Sequence, residues 1–496
     1  MEDGPPDSFR PGAELRRLAQ LPGPRGLPLL GHLLHFDESR IHLQLEDWSA
    51  IYGPLYRLRF LRTDVLVVSD SALIAQAFRA RPGTWRRFGS IEVVAREVGA
   101  HGLFSAEGVE WARQRPLVLR AFDPGQVRRF VPRLQTVTDR LRRRWQHAAR
   151  NGEVLDVQAE LMRYAVDAVT GLAFGVDINT IEREHNDLNA RLEKVLPRIN
   201  RRLHAVFPYW RYLRLPADRA FERELGVIHG MLRDLIGAAR QQLAAEVTLK
   251  DSPRNLLQAL LVAEDDDARA KEPATSTTAL TEDEVIGNLF TVLLAGQDTT
   301  ASTLAWTLYL LSKHPAVWRR LVAEADELAA RADVSDVDPA PAYPFADACA
   351  AEAMRLHPVA PLHYLEACRE ATLGDVLLPQ GTYLFCLTRL GAVDPANVPE
   401  PGKYLPERWL DVEHDGSLKR LAMPFGAGPR MCPGRGLAML EMRMVLTMLA
   451  HHFELADVRT EHGGPPAERM AFTVHPEPLR MRLKERRTSA GATTGS

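Results

Sequence analysis

Only four cysteines occur among the 496 residues: Cys349, Cys368, Cys386 and Cys432. None forms a CxxC pair or sits beside histidines at zinc-ligand spacing. Neither a disulfide scaffold nor a zinc module is expected, and a reducing cytoplasm is the simplest setting. Long apolar runs are missing too: no stretch approaches the roughly 18 residues that a spanning helix needs. The first twenty residues have no apolar h-region, which predicts neither a signal peptide nor a membrane anchor. Charge of one sign is also lacking, since 62 Lys and Arg face 64 Asp and Glu. No global field therefore draws the chain to nucleic acid or an anionic membrane.

What is present suits a large folded chain, 46% hydrophobic and 25% charged. Residues 1–20 are polar and rich in Pro and Gly, which predicts a poorly ordered segment. A single domain is expected over 21–484, followed by a disordered tail at 485–496. A helical pattern at about 40–53 leads to a hairpin with strands at 55–60 and 65–68. Tyr56, Leu58 and Phe60 alternate there with Arg57 and Arg59, the period of a half-buried strand. Residues 108–260 read mostly as helix. Residues 263–279 read as a surface loop, first acidic and then small and polar. No repeat or interdomain linker stands out. The fold class expected is mainly α with a smaller β-rich part.

The segment 281–313 is the most informative. Thr281 and Glu284 make a capping box, and His314-Pro315 marks the far end. Apolar residues on several faces indicate a helix buried through the middle of a protein. Yet its centre carries Gly296-Gln297-Asp298-Thr299-Thr300, and glycine and polar groups inside a buried helix are costly. Such local conflicts mark functional positions.

A second signal is Phe425-Gly426-Ala427-Gly428-Pro429-Arg430-Met431-Cys432-Pro433-Gly434. Glycines and prolines hold one cysteine in a tight loop before a helix that begins near Gly434. Backbone N–H groups and the helix N-terminus would favour its thiolate, the form that binds a soft metal. A lone cysteine is ordinarily a small buried hydrophobe. Here it sits inside a complete F-x-x-G-x-R-x-C-x-G pattern.

That pattern resembles the haem-binding signature of the cytochrome P450 family. Other motifs follow in the family's order: Trp111 with Arg115, Ala295–Thr300, Glu352 with Arg355, and Pro406-Glu407-Arg408-Trp409. The resemblance spans about residues 20–480. It implies the family's triangular helical prism around a buried haem b (iron protoporphyrin IX), with Cys432 as the iron ligand. Phe425, Gly428 and Gly434 would shape the cofactor loop, and Trp111, Arg115 and Arg430 would bind haem propionates. Gly296 would leave room for dioxygen against the helix. Asp298 and Thr299 would form an acid–alcohol pair there, with Asp298 relaying protons. Glu352, Arg355 and Arg408 would form a buried structural network in place of a surface ion pair. Many relatives carry a further propionate-binding Arg or His after the E-x-x-R helix; none is assigned over 362–369.

The implied activity is a monooxygenase reaction on a lipophilic small molecule, using O2 and two external electrons. No fused flavin or iron–sulfur domain is expected, so a separate ferredoxin or flavodoxin with its NAD(P)H-dependent reductase is implied. A basic docking face is expected from Arg113, Arg120, Arg128, Arg129, Arg142, Arg143, Arg144 and Arg435. The pocket would be lined by Phe290, Leu294, Ala295, Val359, Ala360, Leu362, Phe472, Thr473 and Val474. Two alternatives remain: a redox-independent peroxygenase or isomerase, and a non-catalytic haem sensor or carrier. Neither needs the acid–alcohol pair.

Overall fold

The computed structural model describes residues 15–183, 187–205, 207–246, 248–268, 280–331, 343–410 and 412–486. Where the sequence suggested one domain, the chain divides into two compact units. The first is assembled from three separate stretches, 1–89, 360–402 and 416–431. The second takes 90–359, 403–415 and 432–496.

The first unit is built on a five-stranded sheet. Its strand order is Leu55–Phe60, Thr63–Val68, Tyr383–Leu387, Leu362–Ala367 and Trp85–Arg87. The alternation in the first strand is observed: Tyr56 and Leu58 are fully buried, and the strand pairs antiparallel with its neighbour. Val65 to Val68 are buried on both faces, as a strand in parallel contact with Tyr383–Leu387 should be. The Tyr56 hydroxyl donates to the Leu45 carbonyl at 2.7 Å and ties down the helix Ile41–Tyr52.

Residues 15–20 correct the expected disorder. Arg16–Arg17 pairs in parallel with Val376 and Leu377, and Arg16 holds Asp375 at 2.6 Å. Residues 1–14 lie outside the described residues.

The second unit is mainly helical. Its long central helix runs Glu282–Lys313, 32 residues and about 48 Å. The capping box of Thr281 and Glu284 is present as the sequence predicts. Most side chains between Val285 and Leu311 are buried, the stretch 294–296 and Asp298-Thr299 being among the exceptions, with the helix Val157–Phe174 packed alongside. Thr299, Thr303 and Thr307 each donate to the carbonyl four residues back, at 2.8, 2.9 and 2.7 Å. These bonds satisfy the hydroxyls of the buried Thr303 and Thr307 and tie back that of the half-buried Thr299.

The helix Leu256–Ala268 extends into the stretch expected to be a loop, and 269–279 lie outside the described residues. The first two residues of the expected tail are placed in the fold. Glu485 ends a strand and Arg486 pairs with Asp326 at 2.7 Å, while 487–496 lie outside the described residues. Among the described residues, no helix is long and apolar enough to cross a membrane.

Candidate functional site

Cys432 is the exposed cysteine of the four; Cys349 and Cys386 are buried and Cys368 half-buried. Burial pushes the Cys386 thiol up to about 12 and the Cys349 thiol up as well, so both are inert packing residues. Cys432 lies just before the helix Arg435–His452, whose N-cap is Gly434. A Cβ at Gly434 would sit 3.8 Å from the Cys432 Sγ and 4.0 Å from Phe122. Glycine therefore keeps the flank of the sulfur open. Phe122 caps the helix Gly108–Ala121, which carries Trp111 and Arg115 one turn apart on the same face. Burial lowers the Arg115 pKa, and the Cys432 thiolate pulls it back up. One accessible thiol at a helix N-terminus with a guanidinium in its field fits haem. The sulfur suits iron, and the cation suits a propionate.

The other loop residues belong to the first unit. Gly428 has φ +69°, and a Cβ there would meet the Phe78 carbonyl oxygen at 2.6 Å, so glycine is required twice over. Phe425 is half-buried and Arg430 is buried. In the strand Leu362–Ala367, the basic residue is His363. Burial, with Arg87 and Arg81 nearby, pushes its imidazole down to about 3, so it is neutral at physiological pH.

On the central helix, Asp298 accepts a hydrogen bond from the Thr473 hydroxyl. Burial raises its pKa, and Thr473 and the charge of His475 act the other way. The Thr299 hydroxyl donates to the Ala295 carbonyl at 2.8 Å. The expectation for Gly296 changes. Its missing side chain leaves space for Val169, whose Cγ2 would lie 2.3 Å from an added Cβ. Glycine there permits close approach of two helices.

Glu352 and Arg355 are fully buried and paired at 2.8 Å through both guanidinium and carboxylate ends. Arg408 approaches Glu352 at 3.3 Å, Trp409 donates to it at 2.8 Å, and so does the Leu405 backbone at 3.1 Å. The surface-pair alternative is excluded by this burial.

The expected pocket residues separate into two groups. Ala295 and Ala360 are exposed, and Leu294, Val359 and Phe472 are half-buried. Phe290 and Val474 belong to the core instead, both fully buried, with Phe290 edge-on to His229. Leu362 is buried in the sheet, and Thr473 is buried against Asp298. An all-round apolar helix gives no periodicity by which to tell these faces apart.

The basic face is thinner than expected. Arg113 is committed to Glu284, Arg144 to the buried Glu160 at 2.7 Å, and Arg143 to Glu182 at 2.8 Å. Arg142 reaches Asp139 at 3.2 Å, whereas Arg120, Arg128, Arg129 and Arg435 are exposed, as is Arg143 despite its ion pair.

Two residues escaped sequence reasoning. One is Thr473 as the partner of the acid. The other is Glu441, 1% exposed on the helix after Cys432, with its Oε1 lacking a hydrogen-bond partner. Burial pushes its carboxyl up to about 8 despite a hydrogen bond with Thr300. The available signal was a glutamate, the one acidic residue of this helix, set among Leu and Met.

Comparison with known proteins agrees with this geometry. The family profile described as Cytochrome P450 matches residues 21–483. The chain is 30% identical to the mitochondrial 25-hydroxyvitamin D-1 alpha hydroxylase of Mus musculus, covering 93% of this chain and 91% of that protein. It is 24% identical to cytochrome P450 3A6 of Oryctolagus cuniculus, over 87% of this chain and 85% of that one. The crystal structure of the cytochrome P450DA heme domain superposes with a TM-score of 0.78 at 21% identity, covering 96% and 99%.

Proposed function

The chain belongs to the cytochrome P450 family, and from that premise we propose that it hydroxylates a lipophilic small molecule with electrons from a separate redox partner. It is a haem-thiolate monooxygenase, and its cofactor is haem b. Bound haem supplies reductive activation of O2 and transfer of one oxygen atom to substrate.

The chain's own residues divide the remaining work. Cys432 is the iron ligand in this proposal, supported by its exposure and its place at a helix N-terminus. Arg115, Trp111 and Arg430 hold the propionates, and Phe425, Gly428 and Gly434 shape the loop. Asp298 would hold a proton for delivery, and the Thr299 hydroxyl would help to orient it. Glu352, Arg355 and Arg408 keep their part of the fold fixed and touch no substrate. The acid and the alcohol are consecutive, half-buried residues in the middle of a helix that is buried at most of its other positions. That observation carries the monooxygenase reading, because a sensor, a carrier or a peroxide-dependent enzyme has no use for it.

A lipophilic substrate is supported by Ala295, Leu294 and Phe472, apolar side chains that are not closed into the core. A relative named for hydroxylating 25-hydroxyvitamin D supports hydroxylation as the reaction. The electron donor is a ferredoxin or flavodoxin with its NAD(P)H-dependent reductase. It docks on the exposed Arg120, Arg128, Arg129 and Arg435. The cytoplasm is the proposed location, on the strength of four free thiols. Fractionation of cells expressing the full chain checks it.

The test is a reduced-plus-carbon-monoxide difference spectrum of the haem-loaded protein and of Cys432→Ala. A red-shifted band present in the parent and absent from the variant establishes the thiolate. Its absence from folded, haem-loaded parent protein removes the proposal.

A further inference from the structure

We infer that Thr473 is a positioning residue for Asp298 and that its turn links the acid to the substrate-facing aromatic Phe472; this rests on the monooxygenase reading above. The acid lies on the central helix, and the hydroxyl that holds it comes from 175 residues further along the chain. Antiparallel strands Glu468–Met470 and Val474–Pro476 pair Met470 with Val474. Residues 471–473 are therefore the hairpin turn. The Ala471 N–H closes it on the Thr473 carbonyl at 2.9 Å.

This turn is anchored on both sides. Val474 N–H donates to the Val359 carbonyl at 2.8 Å. Glu468 holds His357 at 2.7 Å, and His357 stacks on Trp306 with ring centroids 3.8 Å apart. Thr473 is 5% exposed, so its hydroxyl has a fixed place and Asp298 as its acceptor.

One residue earlier, Phe472 meets Phe104 with ring centroids 5.8 Å apart. The stretch that carries Phe104 is itself stapled to the central helix. Leu103 N–H donates to Asn288 Oδ1 at 2.9 Å, and Thr291 donates to the Ala100 carbonyl at 2.9 Å. A ligand that shifts the backbone at Phe472 would also shift Thr473, its neighbour in the turn, and with it the oxygen that Asp298 presents.

The chemistry is that of a donated hydrogen bond. A hydroxyl donating to a carboxylate stabilises the charged form and pins one oxygen, leaving the other to exchange a proton. His475, on the strand packed against Asp298, is the titratable group that faces the acid.

The test compares Thr473→Val, which keeps the shape, with Thr473→Ser, which keeps the hydroxyl. Infrared spectroscopy of the haem-loaded protein follows the protonated carboxyl band lost in Asp298→Asn. Thr473→Val raises the titration midpoint of that band by about one pH unit, a tenfold change in proton affinity. It also raises peroxide released per NAD(P)H severalfold with a medium-chain fatty acid as probe. Thr473→Ser keeps both values near the parent's. A Thr473→Val protein with parental midpoint and parental peroxide yield overturns the inference. Failure of the broader reading looks different, because the parent itself then lacks the carbon-monoxide band.

Discussion

The indole Nε1 of Trp409 donates to Glu352 at 2.8 Å, on the same carboxylate oxygen that receives Arg355 Nε at 2.8 Å. Glu352 thus serves three side chains and a backbone N–H inside the protein. A buried carboxylate with so many donors is neutralised by geometry, not by solvent.

Removing that carboxylate leaves the fully buried Arg355 without its counter-charge. Glu352→Ala should destabilise the fold by about 3–5 kcal/mol, the usual effect of breaking a buried pair from one side. The denaturation midpoint of the haem-loaded protein measures it. A change no larger than that of an exposed-surface substitution would falsify the structural role of the network.

Thr299 separates chemistry from stability. Its hydroxyl spends its hydrogen bond on its own helix, so Thr299→Ala should change stability by less than about 1 kcal/mol. Haem should stay bound, while NAD(P)H consumption shifts from product to peroxide. Thr299→Ser should restore the partition. Peroxide and product assays on the two variants decide the matter, and normal coupling in Thr299→Ala would remove Thr299 from oxygen activation.

Glu441 predicts a pH effect whose sign can be worked out. Its carboxyl titrates near 8 in the folded protein and near 4.3 in an unfolded chain, to judge from about 4.3 for a free glutamate. Between those values the unfolded state has released the proton and the folded state has kept it. Stability from this group is therefore complete below about 4.3 and is lost as pH rises through 8. Glu441→Gln does not titrate. Relative to the parent, it should become more stable by a few kcal/mol between pH 5 and pH 8. Denaturant midpoints at both pH values test this; a constant difference would contradict the raised carboxyl.

Gly296 predicts a steric pair. Gly296→Ala puts a methyl 2.3 Å from Val169 Cγ2 and should cost about 1–3 kcal/mol through overpacking. Adding Val169→Ala should recover much of that loss, with a coupling of about 0.5–3 kcal/mol in a double-mutant cycle. Independent effects of the two substitutions would show that the helices do not meet at this point.

Features encoded locally were legible in the sequence. The hairpin at 55–68 followed from alternation, the central helix from Thr281, Glu284 and His314-Pro315, and the Cys432 loop from its glycines and prolines. What escaped depended on partners distant in the chain. Arg16–Arg17 reads as polar tail until Val376 and Leu377 offer an edge. Arg113 and Arg144 read as docking cations until Glu284 and Glu160 claim them. Phe290 and Val474 read as pocket because hydrophobicity does not distinguish a wall from a core. Thr473 reads as pocket lining, and its pairing with the acid shows only once Asp298 is opposite.

The three-part make-up of the first unit fixes an order of events during synthesis. Its opening stretch ends at residue 89, and its next begins at residue 360. At roughly 5–20 residues per second, the ribosome needs about 15–55 s to bridge that interval. Throughout it, Thr63–Val68 waits without its parallel neighbour Tyr383–Leu387, an open sheet edge on a nascent chain. The unit's last residue is Met431, one before Cys432. Completing this unit and synthesising Cys432, the proposed iron ligand, are therefore consecutive events.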